Sequence, residues 1–288
     1  MNTTPRRLRQ LLQDEELLML PGAFDAMTAK LIALAGFPAL FVTGAGVSLS
    51  LLAQPDLETV SYLELRNRTE EILAASGLPA LVDVDTGGNP LNLIRLVRDF
   101  ERIGVAAIQV EDQASPKRCG HEQGRKVVEP EEMVLRIRAV ADNRSGSDGL
   151  VLVARTDART SLGPDEAIRR ANLYLEAGAD LIFVESPESE AEVRRICREV
   201  EGPILYNNVE GGRSPFLSRQ QLVDAGVKAV IYPNTLTRIM VPAAQRLLKE
   251  LKENGTTEAL WPEMLTHKEL WPLFGSEEWL ALEKKYRL

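Results

Sequence analysis

Eight short runs of apolar, strand-prone residues recur along this chain, separated by longer stretches of helical periodicity, and that alternation is what most narrows the possible folds. The runs are Leu17 to Pro21, Ala39 to Thr43, Ala80 to Asp85, Ala106 to Glu111, Leu150 to Arg155, Leu181 to Glu185, Ile204 to Asn208 and Ala229 to Tyr232. Amphipathic stretches such as Leu91 to Ile103 and Asp165 to Ala177 lie between them. Each is followed by a glycine, Gly104 or Gly178, suited to a left-handed helix end. Nearly every run finishes in polar or glycine-rich residues: Thr43-Gly44-Ala45-Gly46, Asp83-Val84-Asp85-Thr86-Gly87, Glu111-Asp112-Gln113, Arg155-Thr156-Asp157, Glu185-Ser186 and Asn207-Asn208. In a parallel barrel all strand ends open on one face, so these groups gather at a single rim. A doubly wound open sheet competes, but the chain lacks the Gly-x-Gly-x-x-Gly turn of dinucleotide-binding sheets. With 288 residues, 44% hydrophobic, the chain suits one α/β domain. The expectation is a (β/α)8 TIM barrel over residues 1–254. A C-terminal helical extension, residues 255–288, carries Trp261, Trp271 and Trp279 for packing or subunit contacts.

Charge and composition exclude several classes of partner. A formal net charge of -8 argues against nucleic acid, whose binding leaves a basic footprint. The N-terminal residues contain no continuous apolar segment of the secretory type, and no apolar run is long enough to span a membrane. Cys119 and Cys197 are the two cysteines, too few for a disulfide framework, so the expected setting is the reducing cytoplasm.

Two constellations carry chemistry. Asp83 and Asp85 stand two apart at a strand end, where alternation puts them on one face, and Glu111 ends the next strand. Carboxylates gathered there repel unless a cation joins them, and hard oxygen donors suit Mg2+, with Mn2+ as a substitute. The spacing equally allows these acids to cap the following helices. The second constellation is Lys117-Arg118-Cys119-Gly120-His121, where neighbouring positive charge lowers a thiol's pKa toward proton exchange near neutrality. A flexible basic loop with an incidental thiol is the plainer reading. Cys197 falls on a helical pattern and reads as a small core residue.

These segments, with Arg155-Thr156-Asp157-Ala158 and Glu210-Gly211-Gly212, resemble the isocitrate lyase and phosphoenolpyruvate mutase superfamily, near its methylisocitrate lyase and dimethylmalate lyase branch. The resemblance runs over nearly the whole chain. It implies Mg2+ held by Asp83, Asp85 and Glu111, partly through water, and a small carboxylate substrate. Thr43 and the backbone of Gly44 and Ala45 would receive a substrate carboxylate, and Arg155 would pair with one. Phe41, Asp56, Gly120 and Asn207 would complete the substrate pocket. The implied reaction cleaves a carbon-carbon bond of a 2-hydroxy di- or tricarboxylate, releasing pyruvate or glyoxylate. Cys119 would protonate the carbanion, tuned by Arg118, His121 and Glu185. A homotetramer with an exchanged C-terminal helix is also implied.

Two departures from that pattern bear on the substrate. The superfamily reads Asp-Thr-Gly-aromatic-Gly-Asn where this chain has Asp85-Thr86-Gly87-Gly88-Asn89, one residue shorter and without the aromatic. Phe41 stands where lyases of the branch carry tyrosine and mutases tryptophan. Oxaloacetate decarboxylation or hydrolysis, a phosphonate mutase and a non-catalytic metabolite-binding barrel remain alternatives. A Schiff-base aldolase is disfavoured, because Lys228 precedes its strand and so lies at the wrong barrel end.

Overall fold

The computed structural model of the chain describes residues 4–115, 117 and 125–287. Eight parallel strands pair in chain order into a closed barrel: β1 (Leu18–Ala23), β2 (Leu40–Val42), β3 (Ala80–Asp83), β4 (Ala107–Glu111), β5 (Val151–Thr156), β6 (Leu181–Val184), β7 (Ile204–Asn207) and β8 (Ala229–Tyr232). Closure is made by β1 against β8, with Leu18 opposite Ala229 and Leu20 opposite Ile231. The expected (β/α)8 barrel is thus the fold. Strand limits move by a residue or two, with one consequence for the site: β3 stops at Asp83, so Asp85 lies past the strand.

Helices alternate with the strands: α1 (Thr4–Asp14), α2 (Ala26–Leu34), α3 (Gly44–Leu52), α4 (Tyr62–Ser76), α5 (Pro90–Ile103), α6 (Pro130–Ala141), α7 (Ala158–Leu162), α8 (Pro164–Glu176), α9 (Glu190–Glu199) and α10 (Arg219–Ala225). Helix α5 shows why they form where they do. Asn89 Oδ1 accepts from the Leu91 and Asn92 amides, both at 3.0 Å, and Pro90 presets the first turn. Leu93, Leu96, Val97 and Phe100 then recur at helical spacing and are all buried. Gly104 ends the helix at φ +86°, where a side chain would be strained. Gly178 also takes a positive φ, +115°, one residue beyond the Ala177 cap of α8.

Strand alternation sorts the barrel interior into layers. Leu18, Leu20, Leu81, Ala107, Val151, Val153, Leu181, Phe183, Leu205, Ala229 and Ile231 form its apolar core. Leu8 of α1 joins that cluster, and Leu11 and Leu12 pack on it. Continuing the same period of two along the strands leads to Asp83, Gln109 and Glu111, Arg155, Glu185 and Asn207. The interior therefore changes from apolar to charged toward the strand C-termini. Lys228 lies at the other end, its Nζ donating to the Glu15 carbonyl at 2.7 Å, as expected for a residue that precedes β8.

The chain divides into two compact units, residues 1–235 and 236–288. This boundary precedes the one expected at residue 254, because α11 (Thr235–Asn254) falls almost wholly in the second unit. That unit continues through α12 (His267–Leu273) and α13 (Ser276–Tyr286), with Trp261, Trp271 and Trp279 exposed. Among the described residues no helix is long and apolar enough to cross a membrane.

Candidate active site

A cleft at the barrel mouth is lined by Phe41, Thr43, Ala45, Asp56, Asp83, Gln109, Arg155, Phe183, Glu185 and Asn207. The strand register explains much of this convergence. Glu111 stands opposite Arg155 across β4 and β5, Asp83 opposite Gln109 across β3 and β4.

Asp83 and Asp85 do approach one another, though not by strand alternation. Asp85 sits in a turn at φ +55°, its amide donating to Asp83 Oδ1 at 3.1 Å. Both carboxylates face Gly44: a Cβ there would come within 3.2 Å of Asp83 Oδ2 and 3.5 Å of Asp85 Oδ1. Glycine at 44 therefore leaves room for the acids. Gln109 Nε2 donates to the other Asp83 oxygen at 3.2 Å.

Burial dominates the titration of these groups. It pushes Asp83 up, Asp85 to about 7 and Glu111 well above the usual carboxylate range, against the opposing pull of Lys117 and Arg155. Among the described residues neither carboxylate oxygen of Glu111 finds a hydrogen-bond donor; its ion pair is with Arg155 Nε at 3.4 Å. Buried, under-satisfied acids of this kind fit a hard cation. Among the described residues no three His, Cys, Asp or Glu side chains close tightly enough to hold an ion.

Lys117 enters the same cluster. Its Nζ lies 2.8 Å from Asp56 Oδ1 and 2.5 Å from Asp85 Oδ1. Burial pulls its pKa down, but Asp85, Glu111, Asp83 and Asp56 together outweigh that and hold the ammonium charged. Its place in the Lys117-Arg118-Cys119-Gly120-His121 motif does not by itself put Lys117 in the site.

Thr43 caps α3, its Oγ1 accepting from the Gly46 amide at 3.2 Å. Gly44 and Ala45 open that helix, so their amides have no intrahelical acceptor and can receive an anion. Arg155 reaches the cleft with its fork already engaged: Nε and Nη2 each donate to Asp157 at 2.9 Å, and Nη2 lies 3.3 Å from Glu185. Its guanidinium also lies 5.0 Å over the Phe183 ring. Glu185 is fully buried and accepts from Ser186 Oγ at 3.0 Å and Asn207 Nδ2 at 3.3 Å. Phe41 is buried in β2 and forms part of the cleft floor. Arg118, Cys119, Gly120 and His121 lie outside the described residues.

Asp157 was missed as a site residue, although its place two beyond Arg155 in the quoted motif was a usable signal. Behind the Asp85–Asn89 turn lies a second cavity, of about 260 Å³, lined by Val60, Tyr62, Leu65, Val84, Gly87, Gly88 and Leu96 together with Glu58, Asp85, Asn92 and Arg95. Its walls are mostly apolar, so the charged chemistry belongs to the mouth cleft.

Comparison with known proteins places this geometry. The phosphoenolpyruvate phosphomutase family model matches residues 8–252. A 2,3-dimethylmalate lyase of Eubacterium barkeri is 44% identical over 284 residues, 98% of either chain. The chain belongs to the phosphoenolpyruvate phosphomutase family. A 2-methylisocitrate lyase of Halalkalibacterium halodurans is 42% identical, covering 96% of this chain and 92% of that one. Among solved structures, oxaloacetate acetylhydrolase with 3,3-difluorooxalacetate superposes with a TM-score of 0.92 at 32% identity, covering 98% of this chain and 97% of that one. A phosphonopyruvate hydrolase in complex with oxalate and Mg2+ superposes with a TM-score of 0.88 at 29% identity, covering 99% of each chain. The expected class, an oxo-acid lyase, agrees with these family members.

Proposed function

We propose that this protein is a Mg2+-dependent carbon-carbon lyase that cleaves a small 2-hydroxy di- or tricarboxylate of the 2-alkylmalate or methylisocitrate type. The carrying observation is the cluster of buried Asp83 and Glu111 with half-buried Asp85 beside the amide-presenting start of α3. Asp83, Asp85 and Glu111 are the candidate holders of Mg2+, or of Mn2+ in its place. The ion would supply Lewis-acid stabilisation for the oxygen that gains charge as the bond breaks.

The remaining steps fall to side chains and amides of the chain. Gly44 and Ala45 amides, with Thr43, receive one substrate carboxylate, and oriented N–H donors hold such charge without reorganising. Arg155 contributes its positive charge, oriented by Asp157 and Glu185. The substrate hydroxyl passes its proton to a carboxylate of the cleft, for which Glu185 is the candidate base, the adjacent carbon-carbon bond breaks, and a 2-oxo acid forms. The thiol of Cys119 gives its proton to the departing carbanion, with Arg118 and His121 adjusting that thiol and Gly120 counted among the substrate-binding residues. Asp56 and Asn207 line the substrate's seat, and Phe41 supplies an apolar floor with no hydroxyl to bind substrate.

The test is a screen of 2,3-dimethylmalate, other 2-alkylmalates, methylisocitrate, isocitrate and oxaloacetate with Mg2+ and a chelator control, following pyruvate or glyoxylate. Chelator-sensitive release of pyruvate from an alkylmalate or methylisocitrate is expected. Turnover of oxaloacetate alone, surviving Cys119→Ser, would instead make the enzyme a decarboxylase or hydrolase.

We further propose a cytoplasmic homotetramer built through the C-terminal unit, whose exposed Trp261, Trp271, Trp279 and Leu280 suit an apolar subunit contact.

A further inference from the structure

Glu58 lies between α3 and α4, outside every motif discussed above. Its φ of +59° is in the left-handed region, which glycine adopts freely and a side chain adopts at a conformational cost. The carboxylate shows what that cost secures. Oε1 accepts from Thr86 Oγ1 at 2.7 Å, while Oε2 accepts from Ser115 Oγ at 2.8 Å and from the Lys117 amide at 3.3 Å. One side chain therefore ties the turn that carries Asp85 to the backbone of Lys117. Beyond that tie, the nearly buried Lys117 ammonium bridges Asp56 and Asp85. A lysine stem is long and flexible, so confining it this way requires a fixed backbone.

We propose that Glu58 is a positioning residue that seats the Lys117 ammonium between Asp56 and Asp85, making Lys117 an internal counter-cation whose hold on Asp85 sets the site's affinity for a divalent ion. This rests on the reading of Asp83, Asp85 and Glu111 as that ion's site. A divalent ion held by these acids would compete with the ammonium for Asp85 and would be repelled by it. Loosening the ammonium strengthens the field left for the divalent ion.

The experiment is calorimetric titration of the full chain with Mg2+, repeated with Mn2+ by electron paramagnetic resonance, in wild type, Lys117→Met, Glu58→Gly, Glu58→Gln and the Glu58→Gly/Lys117→Met pair, alongside Tm. Lys117→Met is expected to tighten metal binding by at least about tenfold, the direction set by removing one nearby like charge and the size held below the bare Coulomb repulsion by solvent and the neighbouring acids. Glu58→Gly tightens it in the same direction by less, without lowering Tm, because glycine relieves the left-handed backbone. Glu58→Gln, which keeps one acceptor oxygen, falls between wild type and Glu58→Gly. The double variant binds as Lys117→Met does, since both changes act on one interaction. Unchanged or weakened binding in Glu58→Gly, or effects that add in the double variant, overturns the proposal and leaves the metal reading standing. A wild type with no saturable Mg2+ or Mn2+ binding removes both.

Discussion

At Glu111 the barrel keeps a carboxylate whose two oxygens accept no hydrogen bond from the described residues and whose pKa is raised by burial. Such a group costs the fold stability unless it is paired. Glu111→Gln removes the buried charge at nearly constant shape. The metal-free protein is expected to gain about 1 kcal/mol in urea unfolding, while chelator-sensitive turnover falls at least about a hundredfold. A stability loss with turnover intact would count against the cation reading. Cys197 is the opposite case. Burial raises its thiol to about 11, above the usual value, with Arg194 pulling weakly the other way. The folded state thus holds the proton more tightly than the unfolded chain. This side chain contributes fully below the unfolded pKa near 9, and its contribution is lost as pH rises through 11. At pH 8 the two-unit shift leaves about a hundredfold less thiolate than an ordinary thiol carries. Peptide mapping after iodoacetamide treatment should find Cys197 unmodified in the native protein and modified in urea.

Among the elements, the end of β4 is tied to its neighbours by Asp112, which is wholly buried. Its carboxylate accepts from Thr156 Oγ1, the Asp157 amide and Tyr174 Oη, each at 2.8 Å, and from Arg170 Nη1 at 3.2 Å. The network joins β4, the end of β5 and helix α8, and it fixes Asp157, the partner of Arg155. Tyr174→Phe deletes one donor in this site and should cost about 1–2 kcal/mol in urea unfolding. Because it also slackens the support beneath Arg155, KM should rise more than kcat falls. A smaller element performs a different task at the opposite end, where α1 places Leu8 in the barrel core. Leu8→Ala should destabilise by about 2–4 kcal/mol with KM unchanged, since the site lies at the far end of the strands.

For the whole molecule, the second compact unit exposes Trp261 at 62%, Trp271 at 55% and Trp279 at 70%, more apolar surface than a solitary helical segment needs. If subunits meet there, ending the chain after Asn254 should lower the mass seen by light scattering by at least half. An unchanged mass would rule out this unit as the assembly contact. The cavity behind Gly87 and Gly88 belongs to this scale as well, because it arises between helix faces beside a turn rather than from one residue.

Local pattern in the sequence determined the eight strands, the helices between them, and the gathering of Asp83, Glu111, Arg155, Glu185 and Asn207 at one rim. All of these follow from a period of two in strands and a period near 3.6 in helices, which read directly from residue type. The family resemblance, likewise, was legible from short motifs. Tertiary structure decided the rest. Asp85 reaches the site through a left-handed turn, not through strand alternation, because β3 ends two residues earlier. Asp157 takes the fork of Arg155, and Glu58, from a segment with no motif, holds Lys117 beside Asp56 and Asp85. Contacts between residues 28 to 61 positions apart, such as Glu58 with Thr86 and Lys117 with Asp56, depend on how loops meet at the closed barrel mouth. No local periodicity encodes where such loops meet.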